Sequence, residues 1–401
     1  MKIVIFSQHY YPENFRINYI ADQLKKKNKL LVFTSNPHYN LSIKIIKKYN
    51  KNYPATTKKN NIQIIRFPVF FAKKNYFSKF INHISYIISS SFFLFFFKKK
   101  ETDIIFVYAT SPIFQIIPAI LYKFFIKKPL VIWVQDLWPD VLNDLKIPYS
   151  NFISFFINPI IHWIYNRSDL ILCQSNSFKK EISKFTKTRV MLFENPSDVV
   201  RKKIDYHFAK DYFRIVFAGN LGDAQDLETL IKLGKLLKKK SQRIIIDILG
   251  EGKNFLFLKD NIEKYQLSRY LNLKGYIQNK KMPNFYNRSS ALLIILASGT
   301  GLSKTIPAKF QTYLAYGRPL LVCSNGEINQ IVKKNNLGLS CSSGNANMLY
   351  ENIMLLKKMS FKKYNQICLN CFNIYKNKYL ITKKTRELLN IFTDCIKNFK
   401  Y

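Results

Sequence analysis

Short apolar runs alternate with longer stretches in which apolar residues recur every three or four positions, and the whole pattern restarts once. In the first half the runs are KIVIFS, KLLVFT, IQIIRFP, DIIFVYA, PLVIWVQ, DLILCQS and RVMLFEN. Helical spacing fills most of the gaps, over residues 17–27, 76–97, 113–125, 152–166 and 177–184. Near-continuous apolar strands separated by helices predict a parallel sheet covered on both faces. The pattern lapses over SDVVRKKIDYHFAKD, which reads as an inter-domain connection. It resumes with RIVFAGN, RIIIDILG, LNLKGY, ALLIIL and PLLVCS, each followed by a helical stretch, and beyond about residue 345 it is helical only. Two similar α/β halves are expected. Ligands of such sheets collect beyond the carboxyl ends of the strands, so the cleft between the halves is the natural site.

The segment LSKTIPAKFQTYLAYGRPLLV sharpens this expectation. Pro307 stands where a helix can start, and Gly317 with Pro319 where it should stop. Phe310, Tyr313 and Leu314 form one buried stripe between them. Lys304 and Lys309 flank the helix start, where uncapped N–H groups already carry partial positive charge. Two further cations there call for an anion.

Composition changes the picture only in part. The 401 residues suit two domains, and 48% hydrophobic content allows sizeable cores. A formal charge of +40, from 64 basic and 24 acidic residues, favours anionic partners such as nucleic acid, anionic lipid or a phosphorylated substrate. The basic residues are mostly lysines spread among many Asn and Ile, the mark of an A/T-rich coding bias that raises charge whatever the function. The six cysteines form no compact framework, and the lone C-x-x-C of Cys368 and Cys371 has neither a second pair nor a nearby His, so packed free thiols are expected. MKIVIFS reads as a strand rather than a signal peptide. FINHISYIISSSFFLFFFKKK is apolar over about fourteen residues, short of the ~18 expected of a span. It reads either as a buried helix between strands or as a helix in a membrane interface, with Lys98 to Lys100 at the headgroups.

Candidate chemistry lies in the loops. FAGNLGDAQDLETLI ends a strand at Gly219, carries Asn220 and Gly222, and starts a helix near Asp226, a turn that lets a phosphate approach backbone N–H groups. G-x-G-x-x-G and G-x-x-x-x-G-K are both absent. In VQDLWP, Asp136 closes a strand and is followed by a Trp and a Pro turn. It offers a carboxylate to sugar hydroxyls or a cap to the next turn. No D-x-D stands at a strand end and the five histidines are scattered along the chain, so no metal cluster is expected. His9 is a lone His on a strand-end loop, and no base role is assigned to it.

Taken together, SQHYYPENFR, WVQDLWPD, LFENPSD, FAGNLGDAQDLETLI, LKGYI and LSKTIPAKFQTYLAYGRPLL, in that order, resemble the large retaining glycosyltransferase family of GT-B fold (family 4 type). Within it the chain looks most like bacterial N-acetylfucosaminyl transferases of O-antigen assembly and colanic-acid glycosyltransferases. The resemblance implies two Rossmann-like parallel-sheet domains facing a cleft, with C-terminal helices: an acceptor domain over 1–196, a linker over 197–212, a nucleotide-sugar domain over 213–381, and a last helix over 382–401 that crosses back. It places a donor diphosphate at Gly219, Asn220, Gly222 and Gln225 and at Lys304, Lys309 and Thr312, with the backbone of Tyr276 and Ile277 beside the base. Gln135, where relatives often carry His, joins Asp136 and Lys304 as catalytic candidates, while Glu13, Asn14 and Arg16 are assigned to the acceptor.

The departures are specific. Neutral Asn220 and Gln225 replace the usual Arg and Lys, and Lys304 and Thr312 replace two glutamates eight positions apart, the second of which binds the ribose. Positive charge has thus moved from one loop to the other. The implied reaction takes a sugar from a UDP-linked donor, with retention and without a metal or other cofactor, to a polyprenyl-diphosphate-linked saccharide of surface polysaccharide synthesis. The implied place is the cytoplasmic face of the membrane. A basic nucleic-acid-binding protein, or a glycosyltransferase-like scaffold without catalysis, are the alternatives.

Overall fold

The computed structural model describes residues 1–38, 46, 49, 55–59, 62–70, 76–97, 101–144, 151–204 and 213–400. The predicted Lys98–Lys100 headgroup contact and residues 205–212 of the predicted linker lie outside these. The chain forms two units, one of Met1–Val141, Pro148–Glu194 and Ile381–Tyr401, the other of Asn195–Leu380 with Leu142–Ile147.

The first unit is an eight-stranded sheet. Its strands are β1 (Lys2–Phe6), β2 (Lys29–Ser35), β3 (Ala55–Lys59), β4 (Ile62–Phe67), β5 (Ile104–Ala109), β6 (Leu130–Val134), β7 (Leu170–Cys173) and β8 (Val190–Leu192). They run in the order β3-β4-β2-β1-β5-β6-β7-β8, parallel except for β3, which the apolar pattern does not announce because its sequence is ATTKK. Strands β1, β5 and β6 are buried along almost their whole length, as a sheet covered on both faces requires. Helices α1 (Arg16–Leu24), α2 (Tyr76–Phe93), α3 (Ile117–Ile126) and α4 (Asn151–Arg167) belong to this unit.

Helix α2 departs from ordinary amphipathicity. Its inward face carries Asn82, Tyr86 and Ser90, all buried, while Phe80, Ile84, Ile88, Phe92 and Phe96 of α2 and the 3-10 turn that follows it line the exposed side. Only 22% of the window over Ser78–Phe97 is buried. The expectation of a buried helix is therefore corrected. The inward stripe is polar because Asn82 accepts a hydrogen bond from Gln8 Nε2 and donates one to the Phe70 carbonyl. The same stretch, 20 residues with a mean hydropathy of 1.5, is long and apolar enough to cross a membrane by length and composition.

The second unit is a six-stranded, all-parallel sheet of β9 (Phe213–Ala218), β10 (Ile244–Leu249), β11 (Leu271–Gly275), β12 (Ala291–Ile295), β13 (Leu320–Cys323) and β14 (Gly338–Cys341), in the order β11-β10-β9-β12-β13-β14. Strand β14, GLSC, is too short and polar to stand out in the sequence. Helix α5 (Leu227–Lys239) follows β9, and α6 (Thr300–Lys304) with α7 (Lys309–Ala315) fills the connection from β12 to β13. The helix predicted from Pro307 to Gly317 is thus shorter, and a separate turn of helix carries Lys304. The stripe of Phe310, Tyr313 and Leu314 is buried as expected.

The last helix, α8 (Ile381–Lys397), belongs to the first unit. Leu388, Ile391 and Phe392 join that unit's core, where Phe392 packs edge-on against Phe106 at 5.1 Å.

Candidate active site

Strand order decides where chemistry can collect. In the second sheet β9 lies between β10 and β12, so the connections after β9 and β12 leave on opposite sides and open a crevice at the strands' carboxyl ends. The loop after β9 holds Gly219, Asn220, Gly222 and Gln225, and the connection after β12 holds Lys304 and Lys309.

The two connections meet at Lys309. Its Nζ donates to Gln225 Oε1 at 2.8 Å and lies 4.1 Å from the centroid of the Phe217 ring. Gly219, with φ +154°, passes so near that a Cβ there would stand 2.9 Å from the lysine Nζ. Gly250 supports the same turn, since a Cβ there would meet the Gly219 carbonyl oxygen at 1.9 Å. Burial lowers the Lys309 pKa from 10.5 to about 7, and no carboxylate pairs with it among the described residues. A partly buried ammonium whose hydrogen-bond partner is neutral is a poorly compensated charge. The helix it starts has only seven residues, so its dipole is a small part of the local field.

Other donor candidates fall into separate places. Lys304 ends α6, and the α6 backbone is pressed against Gly326, where a Cβ would meet the Ser303 carbonyl oxygen at 2.1 Å. Thr312 does not present its hydroxyl beside Gln225. It donates to Asp198 Oδ1 at 2.5 Å, bringing an exposed carboxylate to the position where the sequence lacks one. Asp198 belongs to the LFENPSD motif, but nothing local to that motif marks it as a partner of Thr312. Asn220 is exposed, and its side chain lies against Gly222 and Gly252. Tyr276 is 66% exposed just beyond β11, and the neighbouring Ile277 packs on the core.

This crevice belongs to a sequence that matches a known model: residues 200–370 match the family described as glycosyl transferases group 1. The matched stretch lies within the second unit and covers 171 of the 401 residues. No curated protein matches the sequence. Among solved structures, Anabaena HepE in complex with UDP and glucose is 12% identical, with a TM-score of 0.67 over 98% of this chain and 99% of that one. Sucrose-phosphate synthase from Thermosynechococcus elongatus is 12% identical, with a TM-score of 0.72 over 99% and 100%. An alpha,alpha-trehalose-phosphate synthase (UDP-forming) from Burkholderia vietnamiensis is 9% identical, with a TM-score of 0.67 over 98% and 99%. At such identities the likeness carries the fold, which is GT-B: two Rossmann-like α/β units with helices at the carboxyl end.

In the first unit the order reverses at β1, flanked by β2 and β5. The loops after β1, β5 and β6 carry the remaining candidates. Asp136 Oδ2 accepts the Ser111 backbone N–H at 2.7 Å, and Ser111 Oγ accepts from Trp138 Nε1 at 3.1 Å. Burial raises the Asp136 pKa, and the bonds from Ser111 pull it back. Its carboxylate therefore ties two loops together. Gln135 accepts on its backbone oxygen from Gln174 Nε2 at 2.6 Å, while its own side-chain amide nitrogen is buried with no hydrogen-bond partner among the described residues.

The acceptor assignment divides. Glu13 is 2% exposed and turned inward, where Oε1 accepts the His38 backbone N–H at 2.7 Å and Oε2 faces His9 Nδ1 at 3.1 Å. Its assignment to the acceptor is not met by this placement, because groups from the loops after β1 and β2 engage both oxygens. Asn14 is exposed and accepts from Tyr19 Oη at 2.8 Å, and Arg16 opens α1. The histidines are also less scattered than the sequence suggests, because His9 and His38 meet with ring centroids 5.1 Å apart.

Proposed function

We propose that this protein is a glycosyltransferase that moves a sugar from a UDP-linked donor, held on the second unit, to a lipid-linked saccharide at the cytoplasmic face of a membrane. The observation that carries the donor half is the Lys309 ammonium: half-buried, hydrogen-bonded among the described residues to neutral Gln225, and beside the Gly219 turn. A diphosphate at that turn supplies the missing counter-charge, and a charge-assisted bond of this kind strengthens as the bridging oxygen departs. Lys304, on the same connection as Lys309, is the second candidate cation. Neutralisation by two lysines does this work without a metal at the phosphates. Fold neighbours that bind UDP or are described as UDP-forming support a uridine nucleotide. Asp198, oriented by Thr312, takes the ribose contact that the missing glutamate leaves open.

The acceptor half rests on the exposed aromatic surface of the first unit. Phe92 and Phe96 are 62% and 72% exposed, Phe124 of α3 is 69%, and Phe155 of α4 is 74%. Helices with aromatic outer faces on a chain of net charge +40 suit an anionic bilayer surface. Retention of configuration, an N-acetylated deoxyhexosamine as the sugar, and an O-antigen or capsule pathway follow the sequence resemblance. The acceptor hydroxyl then attacks on the face the diphosphate leaves, and the departing oxygen takes its proton. Asn14 and Arg16 lie on the acceptor loop.

The test is a thermal-shift screen of the purified protein with UDP-, GDP- and dTDP-sugars, followed by transfer to a lipid-linked acceptor. Stabilisation by a UDP-sugar that Lys309→Ala abolishes supports the reading, since ligand bound only to the native state raises stability by mass action. Stabilisation by none of the three sugars overturns it.

A further inference from the structure

The loops after β1 and β2 bring together side chains that the transfer reaction does not use. His9, Glu13 and His38 each offer a ligand atom, and these atoms all lie within 4.8 Å of one another. His9 and Glu13 are buried and His38 is half-buried. The His9 ring stacks on Phe15, with centroids 4.9 Å apart and 8° between planes, which fixes its orientation. The carboxylate is fixed too, through the His38 backbone N–H on Oε1.

We propose that His9, Glu13 and His38 form a binding site for a divalent transition-metal cation of the Zn2+ class. The donor set, two imidazoles and one carboxylate, is the mixture such ions take, and it leaves further positions for water. The spacing suits it. Bonds of about 2.0–2.1 Å at tetrahedral angles put neighbouring ligand atoms roughly 3.3 Å apart, and His9 Nδ1 and Glu13 Oε2 already stand 3.1 Å apart. A cation there replaces the proton they share, and that proton moves to His9 Nε2. His38 needs a movement of at most about 1.5 Å to complete the set.

The surroundings fit ligation. The Asn36 carbonyl accepts from His38 Nδ1 at 2.9 Å, the outer partner that metal-binding imidazoles carry, and this leaves the lone pair on Nε2. His83 comes from α2 and donates through Nδ1 to Gln8 Oε1 at 2.8 Å. Burial, His9, His38 and Lys79 depress its pKa to about 4, so it adds no positive charge. The Arg66 guanidinium also feels Glu13 and opposes a cation, which limits the affinity.

The experiment is a titration of untagged, chelator-stripped full-length protein with Zn2+ by calorimetry, and with Co2+ by visible absorption. One equivalent is expected, with Co2+ bands of nitrogen and oxygen ligation and no thiolate charge-transfer band. His38→Ala, made at a half-exposed position so that the fold survives, is expected to weaken Zn2+ binding at least tenfold. Glu13→Gln should weaken it similarly, with circular dichroism confirming that each variant is folded. Absence of stoichiometric binding to the wild-type protein, a thiolate band that places the ion on cysteines, or unchanged affinity in folded His38→Ala overturns the proposal.

Discussion

Lys309 Nζ donates to the side-chain oxygen of Gln225 at 2.8 Å, and among the described residues no carboxylate balances it. One connection supplies the cation and the other its hydrogen-bond acceptor among the described residues. The protein holds an electrostatic cost that an anionic ligand relieves.

Replacing the lysine should therefore separate stability from function. Lys309→Met keeps the length and removes the buried charge. A pKa lowered from 10.5 to about 7 corresponds to several kcal/mol, reduced by local relaxation, so a gain of about 1–3 kcal/mol is expected at pH 7. Thermal melts of the ligand-free proteins should show it, together with loss of UDP-sugar binding. A less stable Lys309→Met would contradict this account.

The sign of the pH effect is fixed by the same shift. Between about pH 7 and 10.5 the unfolded chain binds a proton at Lys309 that the folded chain does not, so this residue's contribution to stability rises with pH. The advantage of Lys309→Met is largest below pH 7 and fades by about pH 10.5. UDP-sugar affinity moves the opposite way, because the donor needs the ammonium. It should fall by up to about tenfold per pH unit above 7, measured with the diester donor, whose phosphates do not titrate there.

Asp136 and Ser111 form the second relationship open to test. Asp136→Ala leaves the Ser111 N–H without its acceptor and should destabilise the protein by about 1–3 kcal/mol. Asp136→Asn keeps a side-chain oxygen for that bond. If the carboxylate also meets sugar hydroxyls, Asp136→Asn melts close to wild type yet loses transfer rate. Full activity in Asp136→Asn would limit Asp136 to its loop contact.

Asp198 should act on donor binding. Asp198→Ala removes the oxygen that accepts from Thr312 and is expected to raise the donor KM about tenfold, the worth of one charge-assisted bond, with kcat largely kept. An unchanged KM would remove Asp198 from the donor site.

The aromatic face predicts reversible lipid binding. Phe92→Gln with Phe96→Gln should weaken sedimentation with anionic vesicles at least tenfold and leave the melting temperature nearly unchanged, because both rings are mostly exposed. Binding by the wild-type protein should also fall as salt rises. Vesicle binding that is indifferent to both changes would place the contact elsewhere.

The sequence by itself determined the two parallel sheets, since a strand buried on both faces must be apolar throughout and a covering helix must repeat every three to four residues. It also determined the Gly219 turn and the presence of Lys309, because glycine and cation are properties of single positions. What it left open depended on distant partners. Glu13 reads as an outward polar residue until β2, beside β1, delivers the His38 N–H to it. His9 reads as solitary for the same reason, and Asp198 reads as linker until α7 brings Thr312 against it. Helix α2 misleads most, because its inward face is polar and its outward face aromatic, and only the tertiary structure reveals which face meets solvent. Periodicity records how much of a segment is buried, whereas strand order and packing decide which charges meet there and what they bind.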